Sequence, residues 1–320
     1  MMTPRENFAH YLKNEPYEWT PTSEDMLSFR PEEIWENAAR GMVAQQDPCS
    51  RPYGGKDLFD LDWIYEELVG GSIEVGHPFD DIEDWQKYIT LPDLDKIDWE
   101  GCARRNAEYL NTDKLVFTTI FTGFFERLIS FVGFENAAMA LVDEDQQEVV
   151  ADLFDRLADV YVDMIARLKR WFGVGIVEIH DDWGTQKSPM FSANTHRELF
   201  VPVFNKVVKA AHEMDVFVEL HSCGMIEPLM PGVIDCGVDT WRGQDINDKK
   251  KLVDTYGDRF NYAVNFRPEA PASDEELIRT LDGYLADYAG KHVWIAFMGR
   301  AYAPGQKDML AQYVRSKGII

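Results

Sequence analysis

Cysteine is scarce in this chain, cations are outnumbered, and no long apolar run occurs; each shortage removes a class of protein. The four cysteines, Cys49, Cys102, Cys223 and Cys236, are scattered and form no CxxC pair, which argues against a secreted disulfide framework. Lys and Arg number 32 against 56 Asp and Glu, giving a formal charge of −24 and a pI near 4.6. A surface that tracks nucleic-acid phosphates needs clustered cations to displace counterions, so nucleic acid is not an expected partner. The same acidity repels anionic membranes and polyanionic substrates, whereas a neutral or cationic small molecule is admitted easily. No stretch approaches the ~18 apolar residues of a membrane span, and the charged segment Met1 to Asn14 lacks the apolar core of a signal peptide. With the free thiols, these features lead to the expectation of a cytoplasmic protein without a membrane partner.

What is present suffices for a large core. The 320 residues are 45% hydrophobic and 13% aromatic, enough to fold without disulfides or metal. Residues 1–100 are rich in Pro, Asp, Trp and Tyr and show only short helical patches such as Pro31 to Met42. Trp19, Trp35, Trp63, Trp85 and Trp99 are expensive to leave in water, so this stretch is expected to be an ordered arm packed on the remainder. From residue 101 to 320 strand-like and helical patterns alternate. Strands are expected at Leu115 to Phe121, Gly175 to His180, Val216 to His221, Val238 to Trp241, Phe260 to Phe266 and His292 to Phe297, with a seventh at Gly71 to Val75. Helical periodicity marks Phe134 to Leu141, Gln146 to Trp171 and a helix from Ser192 or Asn194 to Met214. Such alternation predicts a parallel α/β fold, with a (β/α)8 TIM barrel preferred to an open sheet because no GxGxxG or GxxxxGK[ST] follows a strand. One structural domain with an N-terminal helical arm is expected.

Chemistry in such a fold sits at the C-terminal ends of strands. The most polar ends are Glu178-Ile179-His180-Asp181-Asp182-Trp183-Gly184 and Glu219-Leu220-His221-Ser222-Cys223-Gly224. Side chains alternate along a strand, so Glu178, His180 and Asp182 share one face, as do Glu219, His221 and Cys223. Imidazole and thiolate two residues apart suit a Zn²⁺ ion, with Glu178, Glu219 or Asp182 supplying oxygen. The alternative is that Cys223 is a small buried residue and His221 a hydrogen-bonded core histidine. Asp181 and Asp182 point to opposite faces and cannot form a carboxylate dyad; one of them is expected to cap a helix or hold a loop. His196 and His212 fall within a predicted helix and are expected at the surface. The acidic runs Asp143 to Asp145 and Asp274 to Glu276 read as helix starts.

The blocks Phe124-Phe125-Glu126-Arg127, Gly133-Phe134-Glu135-Asn136, Asp181-Asp182-Trp183-Gly184-Thr185-Gln186 and His221-Ser222-Cys223-Gly224 occur in that order, preceded by Leu91-Pro92-Asp93-Leu94-Asp95. In order and spacing they resemble the uroporphyrinogen decarboxylase superfamily, and within it the corrinoid-dependent methyltransferase branch. The resemblance implies a (β/α)8 barrel with its site at the strand C-terminal ends. In zinc-containing relatives it implies zinc on a His-x-Cys pair, matched by His221 and Cys223, with a late cysteine that this chain lacks after Met298. The decarboxylase branch grips porphyrin carboxylates with an early Arg-rich motif, yet Phe8 to Asp25 contains no Arg.

The expected function is therefore a methyltransferase moving a methyl group from a small O- or N-methylated donor, of aryl methyl ether or methylamine type, to a corrinoid protein that supplies the cobalamin. Asp182, His180 and Asp181 are the expected catalytic groups. Trp183, Trp241 and Tyr262 are the expected substrate-binding aromatics, and His221, Cys223, Glu178 and Glu219 the expected metal ligands. A decarboxylase or lyase acting on a small carboxylated substrate and a non-catalytic ligand-binding barrel are the competing readings.

Overall fold

In the computed structural model, which describes residues 1–68 and 70–320, strands and helices alternate along most of the chain. In chain order the strands are β1 (Met26–Ser28), β2 (Gly55–Lys56), β3 (Asp62–Glu66), β4 (Gly71–Glu74), β5 (Leu115–Ile120), β6 (Ile176–His180), β7 (Phe217–Ser222), β8 (Thr240–Gly243), β9 (Asn261–Phe266) and β10 (Val293–Phe297). The residues cluster into two compact units. The larger comprises Ser28–Asn111 and Val116–Val238; the smaller comprises Met1–Leu27, Thr112–Leu115 and Asp239–Ile320. Residues 1–27 thus fall in the smaller unit and residues 28–100 in the larger.

In the larger unit β5, β6 and β7 run parallel, with Phe117 opposite Ile176 and Ile176 opposite Phe217. Strands covered on both faces read as near-continuous apolar runs, and every residue of β5 is buried. The helix Glu144–Phe172 connects β5 to β6. Asp143 caps it by accepting from the Asp145 N–H, and Gly173 ends it in the left-handed conformation at φ 66°. It buries Val150, Leu153, Phe154, Leu157, Tyr161, Ile165 and Leu168, the helical spacing of one core-facing stripe. Each such side chain contributes roughly 1.5–3 kcal/mol of burial.

The helix expected up to Met214 is interrupted. A short turn Ala193–Thr195 is followed by a π-helical turn His196–Phe200 and then the helix Val201–Glu213. Pro202 has no N–H to give to the carbonyl four residues earlier, so the ladder widens there. Gly71 to Val75 does not join the parallel series; it is β4, paired antiparallel with β3 in a small sheet ordered β2-β3-β4. Four of the five arm tryptophans are buried, Trp19, Trp63, Trp85 and Trp99, while Trp35 is half exposed.

In the smaller unit β8, β9 and β10 are parallel, with Trp241 opposite Tyr262 and Tyr262 opposite Val293. The helix Pro4–Leu12 starts with a reciprocal Thr3–Glu6 capping box and sets Phe8 edge-on to Trp294 at 5.5 Å. The run Asp274 to Glu276 opens the helix Asp274–Ala286, capped by Ser273 and Glu276. The fold is thus α/β with parallel strand ladders, as the alternation predicts. Outside the small antiparallel sheet the described residues supply seven strands, one fewer than a closed (β/α)8 barrel takes. Among the described residues no helix is long and apolar enough to cross a membrane.

Candidate active site

The site is built by the ends of β6 and β7 in the larger unit. Their register sets Glu178 opposite Glu219 and His180 opposite His221. The two imidazole rings stack with centroids 4.5 Å apart and planes 22° apart. Beyond the strand ends the Cys223 N–H donates to Asp182 Oδ1 at 2.7 Å, and Cys223 Sγ lies 3.5 Å from His221 Nε2. His180 Nε2 is 3.6 Å from Asp182 Oδ1, and its Nδ1 is 3.9 Å from Glu178 Oε1. One ligand atom each from His180, Asp182 and His221 fall within 4.8 Å of one another. Glu178 and Glu219 lie deeper and are buried; the Thr119 hydroxyl donates to Glu178 Oε1 at 3.2 Å.

The two loops that carry these groups are locked by backbone contact. Gly224 has φ +75°, and a Cβ there would sit 2.2 Å from the carbonyl carbon and oxygen of Gly184. Only glycine allows that approach. The Met225 N–H then donates to the Thr185 carbonyl at 2.8 Å, and the Trp183 N–H to Ser222 Oγ at 2.9 Å. This is why each polar strand end closes with a glycine.

Asp181 and Asp182 part as strand alternation requires. Asp181 is fully buried and accepts from the Phe125 N–H at 3.0 Å, the Glu126 N–H at 2.9 Å and Trp183 Nε1 at 2.8 Å. It anchors the N-terminus of the helix Phe124–Val132 to the end of β6, so both oxygens are engaged in structure and its expected catalytic part gives way to an anchoring one. Burial and the Glu126 charge push its carboxyl up to about 7 against those hydrogen bonds.

The expected aromatic wall is not formed by the residues named for it. Trp183 is fully buried against Phe200, Phe204 and His196. Trp241 and Tyr262 are core residues of the smaller unit, edge-to-face at 6.1 Å, with Lys249 Nζ 3.8 Å above the Trp241 ring. His196, expected at the surface, lies buried instead, on the same helical stripe as Phe200, Val203 and Val207 and stacked on Phe200. Burial lowers its pKa to about 4. His212 is exposed as expected, and Cys236 is buried.

The electrostatics favour a charged imidazole and a neutral thiol. Burial works against protonation of His180, but the neighbouring carboxylates Glu178, Glu126 and Asp182 outweigh it and raise its pKa. Burial first, then Asp182, pushes the Cys223 thiol well up. Three neighbours are not singled out by the sequence. Glu126 follows β5 at the start of a helix, Phe121 sets its ring 5.5 Å from His180, and Arg40 reaches from the arm to donate to Glu126 Oε1 at 3.2 Å and Thr122 Oγ1 at 2.8 Å. Glu126 stands inside the Phe-Phe-Glu-Arg block, the one signal that points to it; Arg40 is reached only through the fold.

The donor types gathered here, two imidazoles, a carboxylate and a thiol, are those of a divalent transition-metal site, so the residues fit zinc. Glu178 and Glu219, expected among the ligands, sit one strand layer below them.

A parallel α/β protein with ionisable and metal-ligating groups converging at adjacent strand ends is the class that fold and site define. Residues 77–307 match the family model described as Uroporphyrinogen decarboxylase (URO-D), and the chain belongs to that family. No curated protein matches it. Among solved structures it is similar to a methyltransferase from Methanosarcina mazei, at 15% identity and a TM-score of 0.66 over 99% of each chain, which supports the fold. An Old Yellow Enzyme from Pichia sp. AKU4542 (10% identity, TM-score 0.39, 68% of this chain and 66% of that one) is more distant and bears on nothing below.

Proposed function

We propose that this chain transfers a methyl group from a small O- or N-methylated donor, of aryl methyl ether or methylamine type, to a corrinoid held by a partner protein. The observation that carries the reading is the convergence of His180, Asp182, His221 and Cys223 at one pair of strand ends in a URO-D family chain. The fold shared with a protein described as a methyltransferase supports it. Decarboxylation of a polycarboxylated porphyrin is opposed by charge: the chain carries −24, and the site itself adds Glu126, Glu178 and Asp182.

When a methyl group leaves an ether oxygen, the electron pair of the broken C–O bond stays on oxygen, which then needs a proton or a positive neighbour. His180, whose pKa Glu178, Glu126 and Asp182 raise against the effect of burial, is placed to give that proton from Nε2. Asp182, itself fixed by the Cys223 N–H, orients the imidazole. The methyl carbon passes to an acceptor approaching from the side opposite the leaving atom. With a quaternary amine the leaving nitrogen needs no proton, and the same carboxylates serve to attract the cation. A divalent metal held by His180, His221, Asp182 and Cys223 would supply Lewis-acid stabilisation of the leaving group in place of the His180 proton.

The test mixes purified protein with cob(I)alamin and a panel of methoxyarenes and methylamines, following methylcobalamin by its visible spectrum. Turnover with at least one donor, lost in His221→Ala and Asp182→Ala, is expected. Absence of transfer from every donor, or CO₂ release from a carboxylated compound without corrinoid, overturns the reading.

A further inference from the structure

We propose that the open edge of the small antiparallel sheet in the larger unit is a docking strand: β4 takes up an extended segment of a partner protein as a further strand, and that segment alternates apolar with basic side chains. The inference goes beyond methyl transfer and does not rest on it.

The sheet is ordered β2-β3-β4, so among the described residues β4 has a neighbour on one side only. Its register with β3 sets Ile73 opposite Ile64, and the Val75 N–H donates to the Asp62 carbonyl at 2.9 Å. Hydrogen-bonded pairs alternate along an antiparallel ladder, so Gly71, Ile73 and Val75 turn their backbone groups to β3 while Ser72 and Glu74 turn theirs to the open edge. One face of the sheet packs on the rest of the unit: Trp63 is buried with its Nε1 on Asp57, and the Ser72 hydroxyl donates to the Ala39 carbonyl. On the other face Ile64, Ile73 and Val75 each stand about half exposed, Ile73 directly across from Ile64 and Val75 next along the same face. An edge is ordinarily protected by Pro, Lys or a bulge; β4 reads Gly71-Ser72-Ile73-Glu74 in unbroken register with β3 and has none of these. An open edge with an apolar row beside it is what strand addition uses, backbone bonds giving affinity and alternate side chains giving choice of partner.

Charge selects the occupant. Asp62 is paired with Lys56 at 2.9 Å, but among the described residues Glu66, on the apolar face, and Glu74, on the edge strand, have no ion-pair partner. A second copy would bring the same carboxylates and another charge of −24 to the contact, and twofold pairing of β4 with itself would set like charges together. A segment with apolar side chains over Ile64 and Ile73 and Lys or Arg at the flanking positions satisfies both the face and its acids.

The probe is a fluorescein-labelled peptide of four Lys-Val repeats, with two controls: the same residues in separate lysine and valine blocks, and a Glu-Val repeat of equal length. Wild-type protein is expected to bind the alternating peptide saturably, read by fluorescence anisotropy, at least about tenfold more tightly than either control. In the complex the Ser72 and Glu74 amides should become protected from hydrogen exchange. Ile64→Thr together with Ile73→Thr should weaken binding about tenfold, the loss expected when two half-covered side chains no longer bury apolar surface. Glu66→Gln together with Glu74→Gln should weaken it about threefold, and by less at high salt. Glu74→Pro, at an edge position whose N–H faces solvent, leaves the β3–β4 ladder in place and should abolish binding. Urea denaturation checks folding; the threonine pair, which changes only exposed side chains, carries the test should Glu74→Pro unfold. Equal binding of the blocked peptide, wild-type affinity in the threonine pair, or unaltered exchange at Ser72 and Glu74 overturns the inference. So does a dimer of this chain, seen by sedimentation, that Glu74→Pro dissociates, because the edge would then belong to a second copy.

Discussion

Two clusters of charge lie inside the larger unit, and they are built on opposite plans. Around Arg127 a permanent cation is matched to fixed acceptors: Nη1 donates to Asp57 at 2.7 Å, Nη2 to Glu36, and the guanidinium lies 4.3 Å from the centre of the Phe59 ring. Asp57 also accepts from Trp63 Nε1 and from the Phe59 and Leu61 N–H groups, and Glu36 accepts from the Thr122 hydroxyl. Burial works against the Arg127 charge, yet Glu36 and Asp57 more than reverse that effect, so the cation stays. At the β6–β7 ends the groups are imidazoles, a thiol and carboxylates, which exchange protons and bind metals, and His180 and Asp182 are partly open to solvent. A charge locked by rigid partners becomes structure. Groups of adjustable protonation, set at ligand spacing within reach of solvent, become a site.

The sharpest way to break that contrast is to remove one charge from each cluster. Arg127→Met strands two buried carboxylates and is expected to cost about 3–5 kcal/mol of unfolding free energy, read by urea denaturation. Asp182→Asn should leave stability within about 0.5 kcal/mol of wild type, because the site is partly exposed, while slowing methyl transfer at least about 100-fold if His180 is the proton donor it orients. Equal loss of stability in both variants would erase the distinction.

The contrast also separates histidines. His180 sits among carboxylates and its pKa is raised; His196 sits among Trp183, Phe191 and Phe200, where burial lowers its pKa to about 4. Between pH 4 and 6.5 the unfolded chain binds a proton at His196 that the folded chain refuses. The stabilisation from the neutral ring is therefore complete above about pH 6.5 and fades as pH falls towards 4, by up to about 3 kcal/mol. A His196→Phe variant should flatten that part of the stability–pH curve; an unchanged slope would show that other groups carry it.

His196 marks the limit of residue type as a guide to exposure. The helix around it is legible from apolar spacing, and a 3.6-residue count sets His196 on the stripe of Phe200, Val203 and Val207; its polarity, not its position, reads as surface. Strand placement is legible because parallel strands are written as short β-branched runs, and the pairing of His180 with His221 follows from their equal distance from the paired strand starts Ile176 and Phe217. Gly71 to Val75 misleads because a hairpin strand and a parallel strand are alike at that length. The aromatic assignments to Trp183, Trp241 and Tyr262 fail for a related reason: position near a strand end does not say which face a ring takes, and all three rings are buried.

The smallest effect tests how local a signal must be to be read. Asp143 caps the 29-residue helix Glu144–Phe172 through the Asp145 N–H at 3.0 Å, a contact spanning two residues and visible as an acidic run before a periodic stretch. Asp181 serves the helix Phe124–Val132 across 55 and 56 residues of sequence; the strand end marks one of Asp181 and Asp182 as a cap or loop anchor, but not which one or which helix it serves. A long helix with a deep apolar stripe draws most of its stability from packing, so an exposed cap at its end is a marginal addition. Asp143→Ala is expected to lower unfolding free energy by about 1 kcal/mol, with Asp143→Asn close to wild type because an amide oxygen caps as well. The same pair of substitutions at Asp181 should fail to rescue, since Asp181→Asn exchanges a carboxylate oxygen that accepts N–H bonds for an amide nitrogen that donates them. Equal rescue at both positions would mean that the buried anchor works as a simple cap, and the difference between local and long-range capping would vanish.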